Sequence, residues 1–120
     1  LDSYMFKNIS FIKIDVEGHE LKLLEGSHET ISSSKPAMLI EVEQRHNSQS
    51  IFDIFSFLEN FGYKVYFLDG GQLLDLSHFD ISIHQQELNL SSSQKYINNF
   101  LFLHNDRLNN GEYLSLPIID

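Results

Sequence analysis

Lys13-Ile14-Asp15-Val16-Glu17-Gly18-His19-Glu20, running on through Leu21-Lys22-Leu23-Leu24-Glu25-Gly26, is the stretch whose reading decides the fold. Before it, Ile9 to Asp15 alternates apolar residues around Lys13 and stops at an acidic residue, the pattern of a strand, Phe11 to Asp15, with its polar end at the carboxyl side. A glycine-punctuated turn follows. From His19 to Ser32, Leu21, Leu24 and Ile31 keep helical spacing with His28 between them, and Glu17 and Glu20 sit where a helix N-terminus favours negative charge. His28 reads as a partly buried helix residue. Ser32-Ser33-Ser34-Lys35-Pro36 breaks that helix of residues 20–32, and Ala37 to Val42 is almost continuously apolar, as in a parallel strand covered on both faces. The opening is therefore a βαβ unit whose two strands are expected to lie adjacent and parallel, with a right-handed crossover.

Outward from this unit, Gln44 to Gln49 is polar. Ser50 suits the N-cap of a second helix, in which Ile51, Ile54, Phe55 and Leu58 make one face and Gly62 marks the end. Phe52, Phe55, Phe57 and Phe61 read as core and packing residues of that helix. Tyr63 to Leu68 is a strand, Asp69-Gly70-Gly71 a turn, and Leu73 to Leu76 a short partner strand. Residues His78 to Lys95 are rich in serine and glutamine and weakly periodic, an irregular insertion with about one helical turn. Asn98 to His104 is a last strand, and the tail to Asp120 has no assigned structure. The order predicts an α/β fold that begins parallel and finishes with antiparallel strands, one half of a doubly wound sheet.

The 120 residues, 42% hydrophobic and 21% charged, suit one globular domain or a large piece of one. Seventeen acidic against eight basic side chains give a net charge of -9, which repels polyanions and argues against nucleic acid as a partner. The absence of cysteine excludes disulfides and thiolate zinc sites. No apolar run is long enough to span a bilayer, and the first residues carry no signal-peptide pattern, so the expectation is a soluble, cytoplasmic protein.

In an open α/β sheet, ligands bind beyond the carboxyl ends of the strands, where Asp15 sits and where Gly18 lets the backbone come close. Two readings stand side by side. Either Asp15 caps the following helix with Glu17 and Glu20 in its first turn, or the carboxylates and His19 face a ligand. Glu41, Glu43 and His46 follow the apolar strand and would lie beside that end. They either line a pocket or pair with Arg45 or Lys13. A divalent metal on Asp15, Glu17 and His46 is chemically feasible, but the sequence holds no established metal motif and none is assigned.

The string Ile12 to Gly26, IKIDVEGHELKLLEG, followed by Ser34-Lys35-Pro36 and Leu39 to Glu43, LIEVE, resembles the signature of the FkbM-type S-adenosylmethionine-dependent methyltransferases. Leu1-Asp2-Ser3 and Asn99-Phe100-Leu101-Phe102 resemble its flanks, so the likeness covers residues 1–104 and leaves 105–120 as a tail. The resemblance implies a Rossmann-like domain using S-adenosylmethionine to methylate a hydroxyl oxygen of a small-molecule acceptor such as a sugar, lipid or secondary metabolite. It also implies that Asp15, Glu17 and His19 supply the catalytic groups, Asp15 and Gly18 face the donor, and Glu41, Glu43 and His46 face the acceptor. The family's glycine-rich cofactor loop has no counterpart among the six glycines here. These residues therefore resemble the carboxyl-terminal half of the domain, inactive alone and in need of its amino-terminal half or a covering partner. The rival expectation, from the same residues, is a non-catalytic acidic interaction module on a methyltransferase-like half fold.

Overall fold

A computed structural model describes residues 1–4, 7–86 and 96–119. Its strands are β1 (Phe11–Ile14), β2 (Ala37–Glu41), β3 (Tyr63–Asp69), β4 (Gln72–Asp75), β5 (Asn99–His104) and β6 (Ile118–Ile119). They form one mixed sheet in the order β1-β2-β5-β3-β4-β6. Strands β1 and β2 are adjacent and parallel, Phe11 opposite Ala37 and Ile14 opposite Ile40, as the βαβ reading requires. β5 then inserts antiparallel between β2 and β3. The β3–β4 hairpin turns through Gly70 and Gly71, both at positive φ, the geometry a two-residue turn between twisted strands demands.

The expected single helix of residues 20–32 is two short ones, α1 (Glu20–Glu25) and α2 (His28–Ser34). At the break the Ser27 hydroxyl donates back to the Leu23 carbonyl at 2.7 Å, and Ser27, the N-cap of α2, makes no side-chain cap hydrogen bond. Asp2 supplies the cap from far away in sequence. Its carboxylate accepts the N–H groups of Glu29 (3.1 Å) and Thr30 (3.0 Å) and the Thr30 hydroxyl (2.9 Å), satisfying donors that a helix start leaves open. His28, expected to be partly buried, is exposed, because the break turns it outward at the start of α2 with Nδ1 3.6 Å from Asp2.

The next helix, α3 (Phe52–Asn60), follows its predicted periodicity, with Ile54, Phe55 and Leu58 buried and the Ser50 hydroxyl accepting the Phe52 N–H. α1, α2 and α3 cover one sheet face, where Leu24, Ile31, Ile54, Phe55 and Leu58 meet Ile14, Met38, Ile40, Phe67, Phe100 and Phe102. Within this core Phe55 lies 4.8 Å from Phe100 and 5.5 Å from Phe52, centroid to centroid. The beginning of the serine- and glutamine-rich segment holds one helical turn, α4 (Ile81–His84). Residues 87–95 of that predicted insertion lie outside the described residues.

Residues 105–119, given no assignment by the sequence, form α5 (Asn105–Asn109) and strand β6 parallel to β4. Their Leu108, Tyr113, Leu116 and Ile118 cover Tyr66, Leu73 and Leu103 on the second sheet face. Elements of five and two residues carry too little periodicity to stand out in a sequence. Among the described residues no helix is long and apolar enough to cross a membrane.

Candidate functional site

The carboxyl ends of β1 and β2 meet side by side, because Ile14 pairs with Ile40 in parallel register. The next residues, Asp15 and Glu41, thus emerge as neighbours on the face opposite the buried isoleucines. Beyond Asp15 the chain makes a tight reversal with both Glu17 (φ 41°) and Gly18 (φ 95°) in the left-handed region. For glutamate that conformation costs about 1–2 kcal/mol, so the surroundings must hold it. Glu20 is one holder: although charged it is only 1% exposed, and its carboxylate accepts the Gly18 N–H at 2.6 Å. The loop after β2 is the other. A Cβ at position 18 would collide with the His46 backbone carbonyl, so only glycine lets the two loops touch. Gly18 therefore sits where expected, with its N–H and its open side already used within the protein.

Glu43 is 4% exposed and fully engaged. Arg45 Nε donates to it at 2.6 Å and Asn98 Nδ2 at 2.7 Å, and His46 Nδ1 lies 3.4 Å away. Of the alternatives the sequence left open for this residue, the ion pair with Arg45 is present. Burial alone would raise the Glu43 carboxyl, but the hydrogen bonds from Arg45 and Asn98 and the charges of Arg45 and His46 bring it below the usual range. Glu41 goes the other way. Burial, the carboxylates of Asp15, Glu43 and Glu17, and a hydrogen bond with Asp15 hold its carboxyl above the usual range. Two carboxyls two residues apart, Glu41 at the end of β2 and Glu43 just beyond it, are thus driven in opposite directions by their partners.

The structure brings Asp15, Glu17, Glu41 and Glu43 into one electrostatic group, with His46 against Glu43. Asp15 and Glu17 are exposed. Asp15 does not cap α1, whose N-cap is His19, and the His19 side chain makes no cap hydrogen bond either and is exposed. Among the described residues, no three His, Asp or Glu side chains are arranged to hold a metal ion.

Several organising residues escaped the sequence reading. Asn98 bridges Glu41 (3.2 Å) and Glu43 (2.7 Å), and Asn47 donates to the Glu43 carbonyl. Gln85 ties the start of the 42–51 loop to the chain before β5, donating to the Val42 and Ile97 carbonyls and accepting the Gln44 N–H. Gln44 in turn accepts the Ile51 N–H at 2.9 Å, fixing the entry to α3. The one available signal was polar residues next to an apolar strand, which cannot by itself say which partners meet.

A mixed sheet with an acidic, glycine-dependent turn at the carboxyl end of a parallel strand is the setting in which α/β enzymes place their ligand sites. The class can be narrowed further. A model of the methyltransferase FkbM domain matches residues 1–65, from the amino-terminal segment through β1, both short helices, β2 and α3 into β3, and the chain belongs to this family. No curated protein and no solved structure matches it.

Proposed function

We propose that the chain serves methyl transfer from S-adenosylmethionine to a hydroxyl oxygen of a small-molecule acceptor, a sugar, lipid or secondary metabolite, in the manner of a Rossmann-like methyltransferase. The observation that carries this reading is the acidic group at the adjacent ends of β1 and β2, inside the stretch matched by the methyltransferase family. The donor set suits the ligand: the exposed carboxylates of Asp15 and Glu17 are complementary to a cationic sulfonium compound and accept hydrogen bonds from hydroxyl groups. Asp15 and Glu17 would hold it, and the loop around Gly18 would position them. When bound, S-adenosylmethionine supplies an electrophilic methyl group.

Asp15 would act as general base, its carboxylate taking the acceptor hydroxyl proton. His19, beside the turn, is the alternative base. Glu41 and His46, partly open to solvent, face the acceptor, while Glu43 works from behind by holding Arg45 and Asn98. The described glycines form no glycine-rich strand–turn–helix of the kind that cradles a nucleotide cofactor. An amino-terminal half of the domain or a covering partner therefore completes the donor site, and it would also cover β1, which lies at an edge of the sheet.

A radiolabelled methyl-transfer assay of the complete enzyme tests this reading. Asp15→Asn should lower the rate by about 10²-fold or more, the usual scale for a lost general base. An unchanged rate would remove Asp15 from the chemistry, whereas no methyl transfer at all by the complete protein would favour the non-catalytic interaction module. In calorimetry the 120-residue chain alone should bind S-adenosylmethionine far more weakly than the complete enzyme. Equally tight binding would move the donor site into these 120 residues.

A further inference from the structure

Asn98 lies outside the stretch matched by the family and just before β5, the strand inserted between β2 and β3. Its single side-chain NH₂ group donates to Glu41 Oε1 at 3.2 Å and to Glu43 Oε1 at 2.7 Å. One amide therefore spans the carboxyls of Glu41 at the end of β2 and Glu43 just beyond it. Its backbone is fixed as well, since the Asn98 carbonyl accepts the Val42 N–H at 2.7 Å, so the amide cannot drift away from the pair. On the far side of Glu43, Arg45 satisfies the second oxygen. Next to Glu41 stands Asp15, each one residue beyond the paired Ile14 and Ile40.

We infer that Asn98 is a positioning residue of this site: its one amide holds the Glu41 and Glu43 carboxyls in fixed register beside Asp15. The chemistry follows from what each partner can donate. Glu43 receives two strong donors, one of them cationic, and both favour its charged form. Glu41 receives only a share of one neutral amide and, besides its burial, faces the carboxylates of Asp15, Glu43 and Glu17, so its carboxyl is held above the usual range. No proton is gained or lost by Asn98, whose part is to hold the carboxyls in register.

This inference rests on the proposed role of Asp15, and its test separates the two. In the 120-residue chain, carboxyl ¹³C NMR should show Glu41 titrating above Glu43, and the Asn98 side-chain amide resonance should follow both transitions without any substitution. Asn98→Ala should move both midpoints to higher pH, since each carboxylate loses a donor. In the complete enzyme the same substitution should shift the acid limb of the kcat/KM profile to higher pH and lower its plateau by about 10- to 10²-fold, the scale of a misplaced catalytic group. A purely structural asparagine would lower the rate equally at every pH, and that outcome overturns the inference. So does an Asn98 amide blind to both titrations in the unsubstituted chain, whether or not the alanine variant folds. If Asp15→Asn leaves the rate unchanged while the Asn98 amide still tracks Glu41 and Glu43, the proposed general base falls and the carboxyl arrangement stands.

Discussion

Phe55 and Glu43 are almost equally buried, at 1% and 4% exposure, yet different forces hold them. Phe55 sits under α3 among Phe52, Phe100 and Phe102, where what matters is area removed from water and close packing, with no direction to either. Glu43 sits at the rim of the same sheet, where burial is unfavourable unless Arg45 and Asn98 reach it at hydrogen-bond distance. The core tolerates changes that keep volume and responds steeply to those that do not. The rim responds to single donors and to pH. A protein built this way keeps its stability in one region and its adjustable charge in another.

The largest effect should come from the core. Phe55→Ala leaves a cavity beneath α3 and should cost about 3–5 kcal/mol in a denaturant titration. A loss below about 1 kcal/mol would mean that α3 does not carry the fold. At the rim, Glu43→Gln keeps the shape and removes the charge, and should cost about 1–3 kcal/mol at neutral pH, the usual scale of hydrogen bonds to a charged group. The pH dependence identifies its origin. Glu43 titrates lower in the folded chain than its ordinary value of 4.5, so its contribution is fully present above that value and is lost as pH falls through the folded one. The difference between wild type and Glu43→Gln should therefore shrink on acidification below about pH 4.5. A constant difference would indicate lost packing instead of lost charge.

The same contrast explains what the sequence made legible. The periodicity of Ile51, Ile54, Phe55 and Leu58 located α3, and the apolar run at Ala37 located β2, because burial of area imposes a repeat that a single sequence displays. The parallel pairing of β1 and β2 followed from the same reasoning, and so did the nearness of Asp15 to Glu41. The break at Ser27 did not, because what accompanies it is a side chain turning back to Leu23 and Asp2 arriving from the amino terminus. Asn98 was equally invisible: its partners lie 55 and 57 residues away. Hydrogen bonds made across the sheet leave no period in the chain, and at the rim such bonds decide which carboxylates are charged.

Glu41 offers the smallest expected effect and the sharpest one. Burial and the carboxylates of Asp15, Glu43 and Glu17 raise its folded titration above the ordinary value of 4.5, the reverse of Glu43. A raised carboxyl binds its proton more tightly in the folded chain than in the unfolded one, so stability declines as pH rises from about 4.5 through the folded value. Above that value Glu41 is an ionised group among like charges. Glu41→Gln removes the repulsion while keeping an acceptor for Asn98 and gaining a donor toward Asp15. At neutral pH the variant should match or exceed wild-type stability, within about 0.5 kcal/mol, and its stability should no longer fall over the window in which Glu41 ionises. Thermal melts of wild type and variant from pH 4 to pH 8, on the order of half a unit apart, would resolve the difference in slope. A variant clearly less stable than wild type at neutral pH would show that the Glu41 charge is needed for the rim to close. In that case the two glutamates would share one role, and the sorting of charge at the end of β2 would fail.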